Sequence, residues 1–368
     1  MRRHSNYVVD LIDSYSATDA PRKLATPLTD REIKHLYDFG IASTALRCLS
    51  SDSGEVSENS REFLLTADLT ARVIYGQMRA TTIEILEIAR RHDIPVVLLK
   101  GISIAEDLYA EPHHRIMGDV DILAPVEKAE ALHRLLTNSG FRIQDDPKAY
   151  VPPKEHHHLP ELLHAGSNIA VEVHTSLFSV APLSGEPLFQ ISSIWSNAEP
   201  ATFHGLPCLK FRPEFQLFYT VAHWSIDQKW TVNLISINDV VLILRANDGS
   251  MDWMLINSWL SENPFLADPL TVILLFLKNT GIVDVPTEIA EQLEKSARRI
   301  GALNMKILHW LMLKFPLSDS NKESSMITQI IVRVFWQTML EPRHKSLRLI
   351  VSVTQILFRR TGDKSLLS

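Results

Sequence analysis

The stretch that most constrains this chain is short. Ile94-Pro95-Val96-Val97-Leu98-Leu99 is nearly continuous, apolar and β-branched, the pattern of a strand buried on both faces. Such a strand needs a layer above it and another below. It ends in Lys100-Gly101, and residues 102–110 follow with helical spacing (Ile102, Ala105, Leu108, Tyr109) until Glu111-Pro112 stops them. Gly118-Asp119-Val120-Asp121-Ile122-Leu123 then alternates polar and apolar, the period of a strand. Pro125 opens a further helix (Val126, Ala129, Leu132, Leu135, Leu136) that Gly140 ends. Two more strands are expected, His156 to Leu163 and Ile169 to His174, joined by a hairpin turn at Ala165-Gly166-Ser167-Asn168. Pro160 would confine the first of them to a sheet edge.

Residues 94 to 178 therefore read β-α-β-α-β-β, and both flanks read as helix. Asp30 to Leu49 carries one helical stripe (Ile33, Leu36, Tyr37, Ile41, Leu46) and the polar stretch 50–55 reads as a loop. Phe63 to Arg91 carries a longer stripe (Leu64, Leu69, Val73, Ile74, Met78, Ile85, Leu86, Ile88), assigned to packing. After Pro213 the helical stripes run on through Phe215–Ala222, Val240–Leu244, Leu270–Leu277, Ile289–Ile300, Met305–Leu313 and Ile327–Leu340. The expectation is an α+β protein with a small mixed-sheet core at 94–205. An N-terminal helical segment, 1–93, and an all-helical C-terminal domain, 206–368, flank it. The 368 residues suit two or three packed units.

A net charge of −6 argues against a chain that coats nucleic acid by bulk electrostatics, so there is no strong nucleic-acid signal. Cys48 and Cys208 stand far apart and make no disulfide framework, which points to a reducing cytoplasm. No apolar run approaches the roughly 18 residues that a membrane span needs, and no secretory signal is evident.

Chemistry concentrates on the alternating strands. Asp119 and Asp121 share a face, roughly 7 Å apart along the strand, while Val120 and Ile122 point into a core. Two such carboxylates repel unless a cation lies between them, and Mg²⁺ takes oxygen ligands while keeping waters that a phosphate can share. The bland reading is a solvated strand face. Ile169-Ala170-Val171-Glu172-Val173-His174 alternates in the same way, with Glu172 and His174 on one face. Paired beside the aspartates, Glu172 becomes a third acid, and three acids on one sheet face suit metal-assisted phosphoryl or nucleotidyl transfer. Lys100-Gly101 opens a helix whose free N–H groups favour an anion. Arg115 is read equally as a phosphate clamp or as a partner of one of the acids.

Leu99-Lys100-Gly101, Ala105, Leu108-Tyr109, Pro112, Arg115, Asp119-Val120-Asp121-Ile122-Leu123, Gly140-Phe141, the His-rich strand and Glu172-Val173-His174 together resemble one known family. It is the uncharacterised nucleotidyltransferase family of bacteria, within the polymerase-β-like superfamily. His223, Trp230, Asp239 and Asp252-Trp253 look like that family's helical part, so the resemblance covers residues 70–260. It implies Asp119, Asp121 and Glu172 as catalytic metal ligands for Mg²⁺ (or Mn²⁺). It also implies Lys100, Gly101 and Ser103 at the phosphate-binding turn, with Arg115 near it. A nucleoside triphosphate would be the donor; a peptide, a sugar or a small molecule are the acceptor classes considered. Two departures bear on the pocket: Gly101-Ile102-Ser103 replaces the superfamily's Gly-Ser pair, and Thr175 stands where an aromatic is frequent.

Other residues divide between site and scaffold. Of His156-His157-His158, alternation lets His156 and His158 share one side with His174, and a metal-dependent hydrolase built on these three is the rival enzyme reading. A nucleotide-binding accessory protein without turnover is the non-enzymatic rival. His158, His174, His223 and Asp239 are substrate-site candidates; Asp239 inside an apolar helix is otherwise expected to cap or to pair with His223. Trp224, Trp230 and Trp253 are read first as core. The basic amphipathic stretch Arg343 to Arg360 is read as packing on the protein rather than lying on a membrane.

Overall fold

The computed structural model describes residues 7–16, 24, 27–49, 56–144, 157–178, 185–226 and 234–314. The 50–55 loop, His156, Trp230, the 327–340 stripe and the basic 343–360 stretch lie outside the described residues.

The fold is α+β. The strands among the described residues are β1 (Val97–Leu98), β2 (Asp119–Leu123), β3 (Phe141–Ile143), β4 (Leu162–His164), β5 (Ala170–His174), β6 (Ala198–Phe203) and β7 (Leu206–Phe211). They form one mixed sheet of order β3-β4-β5-β2-β1-β7-β6, in which β2–β5 and β1–β7 are parallel and the other pairs antiparallel. Helices α1 (Tyr7–Tyr15), α2 (Asp30–Asp38), α3 (Ala42–Cys48) and α4 (Glu58–Arg91) precede it, and α5 (Lys100–Leu108) and α6 (Val126–Asn138) lie within it. The short α7 (Ile191–Ser196) comes before the last hairpin. After the sheet come α8 (Pro213–Ile226), α9 (Leu234–Ala246), α10 (Trp253–Glu262), α11 (Pro264–Thr280), α12 (Ala290–Ile300) and α13 (Ala302–Lys314).

Alternation sorts the sheet's two faces into two cores. Leu98, Val120, Ile122, Val171 and Val173 pack with Met78, Ile85 and Leu86 of α4 and with Ala129 and Leu132 of α6. Val97, Leu99 and Leu123 join the other core, built with Phe215, Phe218, Val240 and Val241 of α8 and α9. Full burial of each such side chain contributes about 1.5–3 kcal/mol. The polar residues of β2 and β5 share a side with this second set, so they face the helices that follow the sheet.

Several expectations are corrected. The helix expected over Asp30 to Leu49 is two helices broken at Gly40, whose φ of +71° is costly for a residue with a side chain and whose added Cβ would lie 2.9 Å from Ile235 Cδ1. On α4 the buried seam runs Leu64, Asp68, Ala71, Tyr75, Met78, Thr82, Ile85, Ala89, so Leu69 and Val73 fall outside it and are 63% and 56% exposed. Ile74 is exposed as well. The strand expected over His156 to Leu163 is confined to Leu162–His164, preceded by an isolated bridge between His158 and His174. Nor is β4 an edge, because β3 covers its other side; Pro160, which has no N–H to give a ladder, lies before the strand begins.

The β6–β7 hairpin, turned by His204 and Gly205 at φ +48° and +81°, was not foreseen. Two positive φ values are what a tight hairpin turn asks for. Through β7 the sheet reaches Phe211, past the expected end of the core at 205.

Candidate active site

The parallel ladder of β2 and β5 sets Asp119 opposite Ala170, Asp121 opposite Glu172 and Leu123 opposite His174. Glu172 thus stands beside Asp121 on one face, as the alternation of both strands requires. Both inner acids share the His174 ring, and Asp121 also meets a lysine. Lys100 Nζ donates to Asp121 Oδ1 at 3.0 Å, and His174 Nε2 lies 2.8 Å from the same oxygen and 3.1 Å from Glu172 Oε2. His174 is fully buried, so its ring is a fixed strut between the two carboxylates.

Lys100 reaches Asp121 from an unusual backbone. Its φ is +48°, the left-handed region, at the first residue of α5; for a residue with a Cβ this costs about 1–2 kcal/mol. The preceding N–H, that of Leu99, donates to the Asp121 carbonyl at 3.0 Å and ties the turn to the acidic strand. Among the described residues no side chain caps α5, so its first-turn N–H groups are left for another acceptor.

The charges act on one another. Burial alone would raise the Asp121 pKa, but His174 and Lys100 outweigh it and hold the carboxyl well below the usual carboxylate range. Burial pulls His174 and Lys100 down, and the acids they contact more than restore both. Among the described residues Asp119 has no such partner: burial, then the like charges of Asp121 and Glu172, push it up to about 6 against the pull of Lys100. A site that strains its own carboxylate in this way is a site suited to a cation. Ligand atoms of Asp121, Glu172 and His174 all lie within 4.8 Å of one another.

Lys100, Asp119 and Asp121 border a cleft of about 230 Å³, whose lining includes neither Glu172 nor His174. Lys100, Gly101, Asp119 and Asp121 form one wall, and Gln216, Thr220, His223 and Ser236 of α8 and α9 face them. The far wall is the part that reading the sequence missed, His223 apart. Gln216, Thr220 and His223 are a polar i, i+4, i+7 stripe in a largely apolar helix, a signal that could have found it. Gln216 is buried, and its Oε1 has no hydrogen-bond partner among the described residues. Burial, then the charge of Lys100, pushes His223 down to about 3, which leaves its imidazole neutral.

Arg115 and Asp239 line the same cleft but are engaged with each other. Arg115 is committed to Asp239, with Nη2 2.8 Å from Oδ2 and Nε 3.3 Å from Oδ1, and the Tyr109 hydroxyl donates to Asp239 Oδ1 at 2.6 Å. The acid inside α9 is therefore paired with Arg115 and Tyr109 rather than acting as a cap, and Arg115 is a strut rather than an open clamp. Ser103 is buried and does not line the cleft. Gly101 does line it, but an added Cβ would meet Met117 Cγ and Sδ at 2.5 Å and Arg115 Nη1 at 2.8 Å, so close packing against the 115–117 segment already demands a glycine.

His158 turns Nδ1 to the Leu159 carbonyl at 2.8 Å, with Nε2 3.9 Å from Glu172 Oε1. His157, expected on the opposite side, packs against His174 with tilted rings 5.0 Å apart between centres, because the chain here is not a regular strand. Of the described histidines in this segment, His174 alone belongs to the ligand cluster; His156, which a three-histidine centre also needs, lies outside the described residues.

Residues 33–266 match the model of a family described as uncharacterised nucleotidyltransferase. The chain belongs to that family. The match begins in α2 and ends in α11, so this nucleotidyltransferase carries its family's pattern beyond the sheet on both sides. No curated protein matches it. Among solved structures, the antibiotic-resistance factor ANT(2'')-Ia is similar at 12% identity, with 69% of this chain and 97% of that chain covered and a TM-score of 0.27. No helix among the described residues is long and apolar enough to cross a membrane.

Proposed function

We propose that this nucleotidyltransferase moves a nucleotidyl group from a nucleoside triphosphate to an acceptor hydroxyl or phosphate, using Mg²⁺ or Mn²⁺ held among Asp119, Asp121 and Glu172. One observation carries the reading: the parallel register that puts Asp121 and Glu172 side by side, two residues along from Asp119. The donor set fits a hard cation, being rich in carboxylate oxygen and already short of positive charge at Asp119. Bound there, the cation would draw charge from the phosphoryl oxygens and help ionise the attacking hydroxyl.

The chain's own residues do the rest. Lys100 and the free N–H groups at the start of α5 supply positive potential for the phosphates. His174 keeps Asp121 and Glu172 aimed at one point. Neutral polar groups across the cleft, Gln216, Thr220, His223 and Ser236, are placed to bind the non-phosphate parts of donor or acceptor. Asp239 acts on the site through Arg115. The acceptor class, whether sugar, peptide or small molecule, is open to assay, and two buried free thiols suit the cytoplasm.

Pyrophosphate release from each of the four nucleoside triphosphates with Mg²⁺ or Mn²⁺ tests this. Asp121→Asn should lower the rate roughly 10²-fold or more, the scale on which transition-state charge stabilisers act. Equal rates from both proteins would overturn the assignment.

A further inference from the structure

Away from the cleft, three buried side chains that the proposed reaction does not use converge on one point. Asp68 lies in the buried seam of α4, and His113 and His114 end the 3-10 turn Pro112–His114. They are 7%, 5% and 4% exposed. His113 Nε2 is 2.9 Å from Asp68 Oδ1, His114 Nε2 is 3.9 Å from the same oxygen, and one ligand atom from each residue lies within 4.8 Å of the others. A tetrahedral ion with bonds of about 2.05 Å holds its ligand atoms about 3.3 Å apart. The two separations from Asp68 Oδ1 bracket that spacing.

The outer contacts have the form that metal centres use. Arg72 Nε donates to Asp68 Oδ2 at 2.8 Å, which leaves Oδ1 turned to the imidazoles. Nδ1 of His114 lies 3.0 Å from the Tyr15 hydroxyl, so Nε2 is the nitrogen aimed at Asp68. The hydrogen bonds of Arg72, Asp68 and His113 do not extend to His114 Nε2, which stands 3.9 Å from Asp68 Oδ1, while the other ring nitrogen of His114 meets Tyr15.

We propose that Asp68, His113 and His114 form a second metal site, for a borderline divalent ion of the zinc type, separate from the carboxylate site in the cleft. Two imidazoles and one carboxylate suit Zn²⁺, whereas Mg²⁺ selects oxygen. With three protein ligands the fourth position falls to water. The site joins α4, and through Tyr15 α1, to the segment that runs from His114 through Arg115 to Asp119. An ion held there would fix the approach to the acidic strand.

Cobalt titration tests the proposal without nucleotide or turnover. The full chain carrying Asp121→Asn and Glu172→Gln, which disables the cleft site, is stripped with chelator and titrated with Co²⁺. About one equivalent should bind, with the strong visible absorption of a four-coordinate ion, and Zn²⁺ should displace it and raise Tm. Adding His113→Gln or His114→Gln should abolish the absorption. Tyr15→Phe, which keeps the ring in place should the histidine variants fail to fold, should weaken Co²⁺ binding roughly tenfold. No stoichiometric Co²⁺ binding, the weak spectrum of a six-coordinate ion, or binding unaltered by all three changes would overturn the second site.

Discussion

Asp119 shows at the scale of one residue what a charged site costs its fold. An acid whose folded pKa is raised to about 6 from an ordinary 3.8 favours folding only while protonated, so relative stability is lost as pH climbs through that interval. Asp119→Asn should therefore stabilise the metal-free chain at pH 8, by ~1–2 kcal/mol once solvent access is allowed for. The gain should shrink toward zero as pH falls to the ordinary carboxylate range. Urea denaturation of both proteins across that span checks it; a gain that does not vary with pH would contradict the charge account. The three acids were legible because a period of two leaves no choice of face. The pairing of Arg115 with Asp239 was not, since it joins residues 124 positions apart and no local pattern encodes such a contact. His157 was misassigned because alternation holds only where the chain is extended and paired, and here a single bridge replaces the ladder.

Single elements were legible as kinds and less so as faces. The existence of α4 followed from its apolar content, but apolar residues stand on more than one side of it, and only the partners decide which side is buried. Leu69→Ala should thus change stability by less than ~0.5 kcal/mol, whereas Met78→Ala, in the buried seam, should cost about 2–5 kcal/mol. Thermal or urea midpoints for the two variants decide between the observed seam and the stripe inferred from sequence; equal losses would favour the stripe. The three-residue β3 and the β6–β7 hairpin escaped notice for a different reason. Short strands carry too few residues for a period, and β6 runs Ala198-Glu199-Pro200-Ala201, a poor strand sequence tolerated at the sheet's edge.

Across the whole molecule, the sheet divides two cores, and the acids look toward the core that α8 and α9 complete. Arg115 and Tyr109, from the segments around α5, reach Asp239 on α9 and so bind the sheet layer to the helical layer at the rim of the cleft. Removing the arginine alone leaves a buried carboxylate without its cation. Arg115→Met should cost about 3–5 kcal/mol, and Arg115→Met combined with Asp239→Leu should cost clearly less. A double variant as unstable as the sum of the single ones would mean that the pair does not act as a unit.

The central claim is that Asp121 and Glu172, brought together by parallel pairing of two distant strands, work as one cation-binding unit in nucleotidyl transfer. The most direct measurement is pyrophosphate release by Asp121→Asn, Glu172→Gln and the double variant, each with its fold verified. Groups acting as a unit are not additive, so each single change should lower the rate roughly 10²-fold or more, and the double change should lower it little further. A wild-type rate in either single variant would contradict the account.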